Sequence, residues 1–492
     1  MNRTLSIAAL ICGLLALGGC SVNPATGERS FTAFMSPEKE LQVGRQEHPK
    51  ILKAHGGAYS DSHIAAYVRR VGLALTRVSE VPGLAFRFFV VNDDKINAFA
   101  LPGGYVYITR GLIALADDEA EMAAVLAHEI GHVTARHSAQ RYSEAMAMNL
   151  GLTVFGIVGS AAGVPAGAGN LASLGAQLYL QSYSREQELE ADVLGIRYLT
   201  RAGYDPDAMT RFFRKLESHK RLEAILSGDP GAAQRNHVLA THPRTADRIR
   251  QAARLARATP VARPRTGRDD HLTRVDGLIF GDDPAKGVRR GREFAHPALG
   301  ISFRVPPGFT LFNRPTVVVA RGPDGAAIVF DMVQGDAARA AGGTAGYLVE
   351  DWGRRLSLQR VQRLSINGLD AATAEAQFST RKGPADIRLV VIRAAPDRLF
   401  RFIFQTPVAL TARLATELQR TTYSFRQLTA EEAARIKPLR FRVVTVQDGD
   451  TARSLAATLP FETGQLEWFE VLNGLVRDQP LAPGSRVKIV VD

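Results

Sequence analysis

Residues 121–136 read Glu121-Met-Ala-Ala-Val-Leu-Ala-His-Glu-Ile-Gly-His-Val-Thr-Ala-Arg136. On an α-helix, residues four apart stand one turn above each other on one face. His128 and His132 can therefore offer two imidazole nitrogens to one metal ion. Glu129 lies about 100° round the helix from His128, near the open position of such a metal and free to act on its water. Asp118 with Glu121 makes a capping-box-like start, and Ala123, Ala124, Val125, Leu126, Ala127 and Ile130 make the helix apolar on most sides. A helix buried all round must satisfy two histidines and a glutamate somehow, and a metal does so. The competing reading is an apolar helix that carries these three residues by chance.

A third protein ligand is needed, and its position discriminates among zinc hydrolases. A metzincin continuation would place Gly at 135 and His at 138, but the chain has Ala135 and Ser138, which excludes that class. On a continuous helix His137 sits about 140° round from His132, too far to reach the same metal. The segment Ser184-Arg-Glu-Gln-Glu188-Leu-Glu190-Ala-Asp192 is the better source. Glu188 and Asp192 are one helical turn apart, so one can ligate while the other orients a ligating histidine. Glu188 is the candidate ligand; the competing reading is an ordinary charged helix face.

With Asn97-Ala-Phe-Ala-Leu-Pro-Gly-Gly-Tyr-Val-Tyr-Ile-Thr-Arg-Gly-Leu-Ile113 ahead of the HEIGH helix and Glu188-x-x-x-Asp192 behind it, residues 36–255 resemble the HtpX/BepA/Oma-type gluzincin metallopeptidases. The resemblance implies one Zn²⁺ per chain, held by His128, His132 and Glu188, with Glu129 as general base and Asp192 supporting a ligand. It also implies that the strand at about Gly104 to Thr109 pairs with the substrate backbone as an edge strand. His242, in Ala-Thr-His-Pro-Arg-Thr-Ala-Asp-Arg-Ile249, matches a Thr-His-Pro segment of periplasmic relatives, where this histidine can approach the metal. It is a candidate catalytic residue, and the alternative is a structural hydrogen bond at a helix start.

Met1 to Cys20 carries Arg3, an apolar run from Leu5 to Leu17 and the ending Leu-Gly-Gly-Cys20. That is a signal peptide too short for a secure membrane span. It resembles a lipoprotein signal, with lipid attached to Cys20 and Ser21 matching the outer-membrane sorting default. Cys12, inside the signal, is the one other cysteine, so a mature chain relies on core burial rather than disulfides. With 492 residues, 46% of them hydrophobic, the chain has room for about three domains. A net charge of +12 on an exported chain with no nucleic-acid motif points to anionic envelope polymers or lipid headgroups, not nucleic acid.

The expected architecture is multidomain. After the signal (1–20) and an N-terminal tether (21–35) comes a mainly α, zincin-like metallopeptidase domain with a small β-sheet (36–255). Its metal helix is expected to continue to around Met148. Residues 145–184 hold no charge before Ser184 and are rich in Gly and Ala; they suggest a lid over the cleft, with membrane insertion as the alternative. A Pro- and Arg-rich linker (256–293) leads to an α+β domain (294–430) that faintly resembles PsbP/Mog-type modules. Its strand-like runs are 301–305, 316–320, 327–332, 371–377, 387–394 and 399–405, with helices over 344–356 and 410–422. The tail, 441–492, resembles a small βααβ LysM-like domain, with Asp450 or Thr451 capping its first helix. Such modules bind N-acetylglucosamine polymers, so peptidoglycan is a candidate partner.

Together these features suggest a lipid-anchored zinc endopeptidase on the periplasmic side of the envelope, acting on unfolded or misassembled envelope proteins. Two rivals stand beside it: a peptidoglycan-bound chaperone or assembly factor with a latched protease site, and a cell-wall hydrolase.

Overall fold

The computed structural model describes residues 20–160, 182–227, 242, 246–339, 343–380, 383–477 and 479–492. The signal peptide before Cys20 and residues 161–181 of the expected lid lie outside them. Among the described residues no helix is long and apolar enough to cross a membrane. The chain divides into two units, Met1–Phe280 with Arg440–Asp492, and Gly281–Leu439.

The first unit opens with an antiparallel strand pair, β1 (Cys20–Val22) and β2 (Arg29–Phe31). The expected tether at 21–35 is therefore largely a hairpin. Asn23 closes its turn: its carbonyl accepts from Gly27 N–H and its side-chain oxygen from Ala25 N–H, while Gly27 takes the positive φ of 78°. Helix α1 (Pro37–Ala54) starts at Ser36, whose hydroxyl accepts from Lys39 N–H, and α2 (Ser62–Thr76) starts at Asp61.

Three strands follow, β3 (Arg87–Val91), β4 (Ala98–Leu101) and β5 (Tyr105–Thr109), in the spatial order β3-β5-β4. Strand β5 is central, parallel to β3 and antiparallel to β4. This corrects the expectation that the strand after Gly104 is a free edge. Gly103 and Gly104, at φ 79° and 84°, fold the chain back so that β5 takes β4 as its partner. Strand β4 is the edge on that side, and it packs along the metal helix.

After α3 (Arg110–Leu115) comes the metal helix, α4 (Glu119–Thr134), capped by Asp118. It does not run on to Met148. Arg136 adopts φ 57°, unusual for a residue with a Cβ, and a new helix, α5 (His137–Ser160), starts beyond it. Further helices are α6 (Arg185–Arg201), α7 (Ala208–Ser227), α8 (Ala246–Ala258) and α9 (Arg268–Val275). Helix α6 begins with a Ser184/Gln187 capping box.

The expected linker at 256–293 is also corrected. It holds the end of α8, all of α9 and strand β6 (Ile279–Phe280). Its backbone is tied to the end of α6 and to the start of α4: Arg265 N–H donates to Gly203 C=O and Thr266 C=O accepts from Ala120 N–H. Its absent apolar periodicity reflects polar pairing rather than disorder.

The second unit carries a four-stranded antiparallel sheet in the order β17-β9-β8-β7, from β7 (Val288–Arg290), β8 (Glu293–His296), β9 (Ile301–Arg304) and β17 (Arg426–Gln427). Its larger sheet has seven strands in the order β10-β11-β12-β16-β15-β14-β13. These are β10 (Thr310–Arg314), β11 (Val317–Arg321), β12 (Ala327–Gln334), β13 (Gln359–Ile366), β14 (Leu369–Thr380), β15 (Gly383–Ala395) and β16 (Arg398–Pro407). Helix α10 (Val408–Ser424) packs on the sheet. One core gathers Phe303, Phe330, Phe402 and Phe404 with Leu414, and another gathers Tyr347, Ala372, Ala374 and Val391. This unit starts at Gly281, ahead of the expected 294, and β7, β8, β10, β13 and β17 are additions to the expected strands.

The chain then returns to the first unit through β18 (Leu439–Thr445), α11 (Ala452–Ala456), α12 (Gln465–Leu472) and β19 (Arg486–Val491). Strand β18 pairs antiparallel with β19 and lies beside β6 on its other edge. Thr451 caps α11 by accepting from Ser454 N–H. The tail is sewn to the metal helix's entry by Lys488. Its buried ammonium donates to the carbonyls of Ala114 (3.0 Å), Leu115 (3.3 Å) and Ala116 (2.8 Å) at the end of α3.

Candidate metal centre

Helix α4 places His128 and His132 one turn apart, and α6 packs against α4 and brings Glu188 to face them. Gly131 and Gly195 permit this approach. A Cβ on Gly131 would lie 3.0 Å from Ala191 O, and one on Gly195 would lie 3.2 Å from the His128 backbone. His242 completes the group, so His128, His132, Glu188 and His242 each offer a ligand atom within 4.8 Å of the others, all buried.

The spacing suits a tetrahedral ion. His128 Nε2 lies 3.0 Å from His132 Nε2, 3.5 Å from Glu188 Oε2 and 3.3 Å from His242 Nδ1, and His132 Nε2 lies 3.4 Å from Glu188 Oε1. Ligand bonds of about 2.0–2.1 Å give tetrahedral edges of about 3.3 Å. Both carboxylate oxygens of Glu129 are buried without a hydrogen-bond partner among the described residues. Native proteins do not leave buried carboxylates unanswered, so a metal and its water fit these residues. Two histidine nitrogens and a carboxylate are a zinc donor set.

The ligands are backed by two different systems. His128 Nδ1 lies 2.9 Å from Asp192 Oδ1, and Arg248 grips Asp192 with Nε and Nη2, each at 2.7 Å. Arg248 Nη1 also reaches Glu188 Oε2 at 2.5 Å. His132 Nδ1 meets His137 Nδ1 at 2.7 Å, and Tyr183 stacks on the His132 ring at 3.8 Å and 16°. Burial pushes Glu129 above the ordinary carboxylate range, against the pull of His242 and His128. Burial acts on Glu188 and Asp192 too, but His242 beside Glu188 and Arg248 beside Asp192 outweigh it and hold both low. An apolar cavity of about 30 Å³ adjoins the cluster, walled by Val125, Met209, Phe212, Phe213 and Leu216.

The structure thus brings together His128, Glu129, His132, Glu188, Asp192 and His242, all expected from sequence. Cys20 is the first residue of β1. Sequence reasoning missed Arg248 and Tyr183, and it set His137 aside. Arg248 could have been noticed as an arginine on an apolar-spaced face of α8, six residues beyond the Thr-His-Pro histidine; Tyr183 has no local signal.

Two histidines and a glutamate from facing helices, with a partnerless buried glutamate between them, define the gluzincin class of metallohydrolase. The profile of peptidase family M48 matches residues 62–256. The chain is 30% identical over 256 residues to mitochondrial metalloendopeptidase OMA1 of Saccharomyces cerevisiae, covering 48% of this chain and 71% of that protein. It is 32% identical over 300 residues to the beta-barrel assembly-enhancing protease of Yersinia pestis (56% and 59% covered). To that of Escherichia coli K12 it is 33% identical over 231 residues (45% of each). The chain belongs to peptidase family M48. It spans about half the length of the bacterial relatives it matches. Cyanobacterial PsbP from Synechocystis is similar at 17% identity over 30% of this chain and 98% of that one, with a TM-score of 0.23, too low to support a shared fold.

Proposed function

We propose that the chain is a zinc endopeptidase of the bacterial cell envelope, with His128, His132 and Glu188 as ligands and Glu129 as general base. Bound zinc would supply a Lewis acid that lowers the pKa of its water toward about 7 and polarises a scissile carbonyl. Glu129 takes the water's proton and returns it to the leaving amine; its raised pKa suits it to both transfers. Asp192 and Arg248 hold His128 and Glu188 in place. Strand β4, the buried sheet edge that packs along α4, would have to be uncovered before a substrate backbone could pair with it, and such pairing reads little side-chain identity.

Unfolded or misassembled envelope proteins are the substrates this reading favours, in keeping with the name of the beta-barrel assembly-enhancing relatives. The lipoprotein-like signal ending at Cys20 supports anchoring at the periplasmic face, with the outer membrane as the default destination. The strand-helix-helix-strand order of the tail supports a LysM-like module with peptidoglycan as partner, and the second unit reads as a positioning module.

The observation that carries the proposal is Glu129, buried beside three ligands with neither oxygen bonded among the described residues. The test measures bound zinc and casein cleavage in the purified full chain and in Glu129→Gln. Zinc near one per chain in both, with cleavage in wild type alone, is the expected result. A folded wild type without zinc sinks the proposal.

His242 favours a second reading. Its Nδ1 lies 2.8 Å from Glu188 Oε1, inside the ligand set, and four protein ligands make a closed site where catalysis needs an open one. In this reading His242 latches the protease until it withdraws. Zinc in both proteins with no cleavage in either, and cleavage restored by His242→Ala, would single it out.

A further inference from the structure

His137 has a place in the site that a continuous helix would deny it. The break at Arg136 turns the chain so that His137, fully buried, points back at His132. Its far nitrogen, Nε2, lies 3.2 Å from Glu190 Oε2, and the other Glu190 oxygen accepts from the Asn23 amide at 2.8 Å. Asn23 is buried, and the neighbouring Thr26 hydroxyl also bonds Glu190. Four side chains therefore run in one line from the metal to the N-terminal hairpin: His132, His137, Glu190, Asn23.

The chemistry of the line fixes its protons. A metal on His132 Nε2 leaves the ring hydrogen on Nδ1, so His132 donates to His137 Nδ1. His137 then carries its hydrogen on Nε2 and donates to Glu190. Each ring has one permitted tautomer, and the line ends on a carboxylate. It is the counterpart, lengthened by one imidazole, of the direct Asp192 contact to His128. The corner itself is held from the N-terminal segment: Arg136 donates to Ser21 Oγ (2.8 Å), Met35 O (2.8 Å) and Glu40 Oε1 (3.0 Å), which offsets its strained φ.

We propose that His137, Glu190 and Asn23 are positioning residues for the zinc ligand His132, and that the hairpin just after Cys20 is a working part of the metal centre. This rests on the zinc reading above. The line sets the His132 ring in place and raises its basicity as a ligand, a service that typically affects metal affinity 10- to 100-fold.

The test uses the purified full chain and measures zinc affinity by chelator competition and the visible spectrum of the Co²⁺-substituted protein. His137→Ala is expected to weaken zinc binding about 10- to 100-fold and shift the cobalt bands. His137→Gln, whose side chain can accept from His132 and donate to Glu190, is expected to recover most of both. Asn23→Ala is expected to move both readouts in the same direction by less. A folded His137→Ala protein with wild-type affinity and spectrum overturns the proposal. So does a folded His137→Gln protein no better than His137→Ala, since His137 would then serve packing alone. Unchanged readouts in Asn23→Ala overturn the part assigned to the hairpin. A folded wild type that binds no zinc is a separate result, against the zinc reading itself.

Discussion

The two ends of the metal helix are equally buried and rich in ionisable groups, yet they solve the problem of burial differently. At its start, Asp117, Asp118, Glu119 and Glu121 are all buried, and the protein answers each. Asp118 accepts from Glu121 N–H and pairs with Arg211; Glu119 accepts from Arg70 (2.7 Å) and the Tyr204 hydroxyl (2.7 Å). Asp117 pairs with Lys215 and lies 3.5 Å from Lys488. The carboxylates also face the positive end of the helix dipole. At the other end neither oxygen of Glu129 is hydrogen-bonded among the described residues, with His242 Nε2 3.5 Å from Oε1, and four ligand atoms gather within 4.8 Å of one another. A buried charge that the fold neutralises is structure; one that it leaves unanswered marks where an ion and its chemistry belong.

The largest test of this contrast is Glu129→Gln. It should lower the rate of peptide cleavage about 10³-fold while zinc per chain and thermal stability hold. A comparable loss of zinc would show that Glu129 is a ligand rather than a base. Zinc removal comes next. Zinc held at about 1,000 times its dissociation constant stabilises the folded chain by about 4 kcal/mol, so a chelator should lower the melting temperature of the first unit. An unchanged melt would mean that the histidine end, like the acidic end, is already satisfied.

Lys488→Met strikes the acidic end. It strips the cation from the Ala114 and Leu115 carbonyls and from Asp117, and should cost about 3 kcal/mol by urea unfolding with zinc stoichiometry unaltered. Loss of zinc in the folded variant would show that the two ends are not separable.

The histidine end is the more legible in sequence because its information is local. One-turn spacing puts His128 with His132 and Glu188 with Asp192, and the apolar flanks announce burial. The acidic end was read as a helix cap, which it is, but its counter-charges come from far along the chain: Arg70, Lys215, Lys488, and Arg265 and Arg268 of the supposed linker. An arginine-rich run with no apolar period looks unstructured until its acids are found. His137 was misplaced for another reason. Helical geometry was extended through Arg136, and nothing in Thr-Ala-Arg-His signals a positive φ, which tertiary bonds from the N-terminal segment sustain. In the second unit the buried strands show as apolar runs. Strand β13, Gln-Arg-Val-Gln-Arg-Leu-Ser-Ile, is an exposed edge whose polar residues hide its period.

The smallest effect concerns His271, which belongs wholly to the satisfied end. It is buried, its Nδ1 lies 3.0 Å from the Tyr67 hydroxyl and its Nε2 lies 3.1 Å from Ala116 O. Burial, helped by Lys488 and Lys215 and opposed by the Ala116 carbonyl and Asp117, lowers its pKa to about 3 from an ordinary 6.5. Between those values the unfolded chain binds a proton that the folded chain refuses. Stability is therefore full above pH 6.5 and falls as the pH drops toward 3, by about 1.4 kcal/mol per pH unit for this one group. Glutamine at 271 can accept from Tyr67 and donate to Ala116 without titrating. His271→Gln should match wild type near pH 8 to within about 1 kcal/mol and lose stability less steeply in acid. Urea unfolding followed by Trp468, in a Trp352→Phe background so that the first unit alone reports, gives the slopes. The metal-site histidines contribute equally to both proteins and cancel in the difference. Equal slopes would mean that His271 takes up its proton in the folded state, and that the acidic end is less completely sealed than its hydrogen bonds imply.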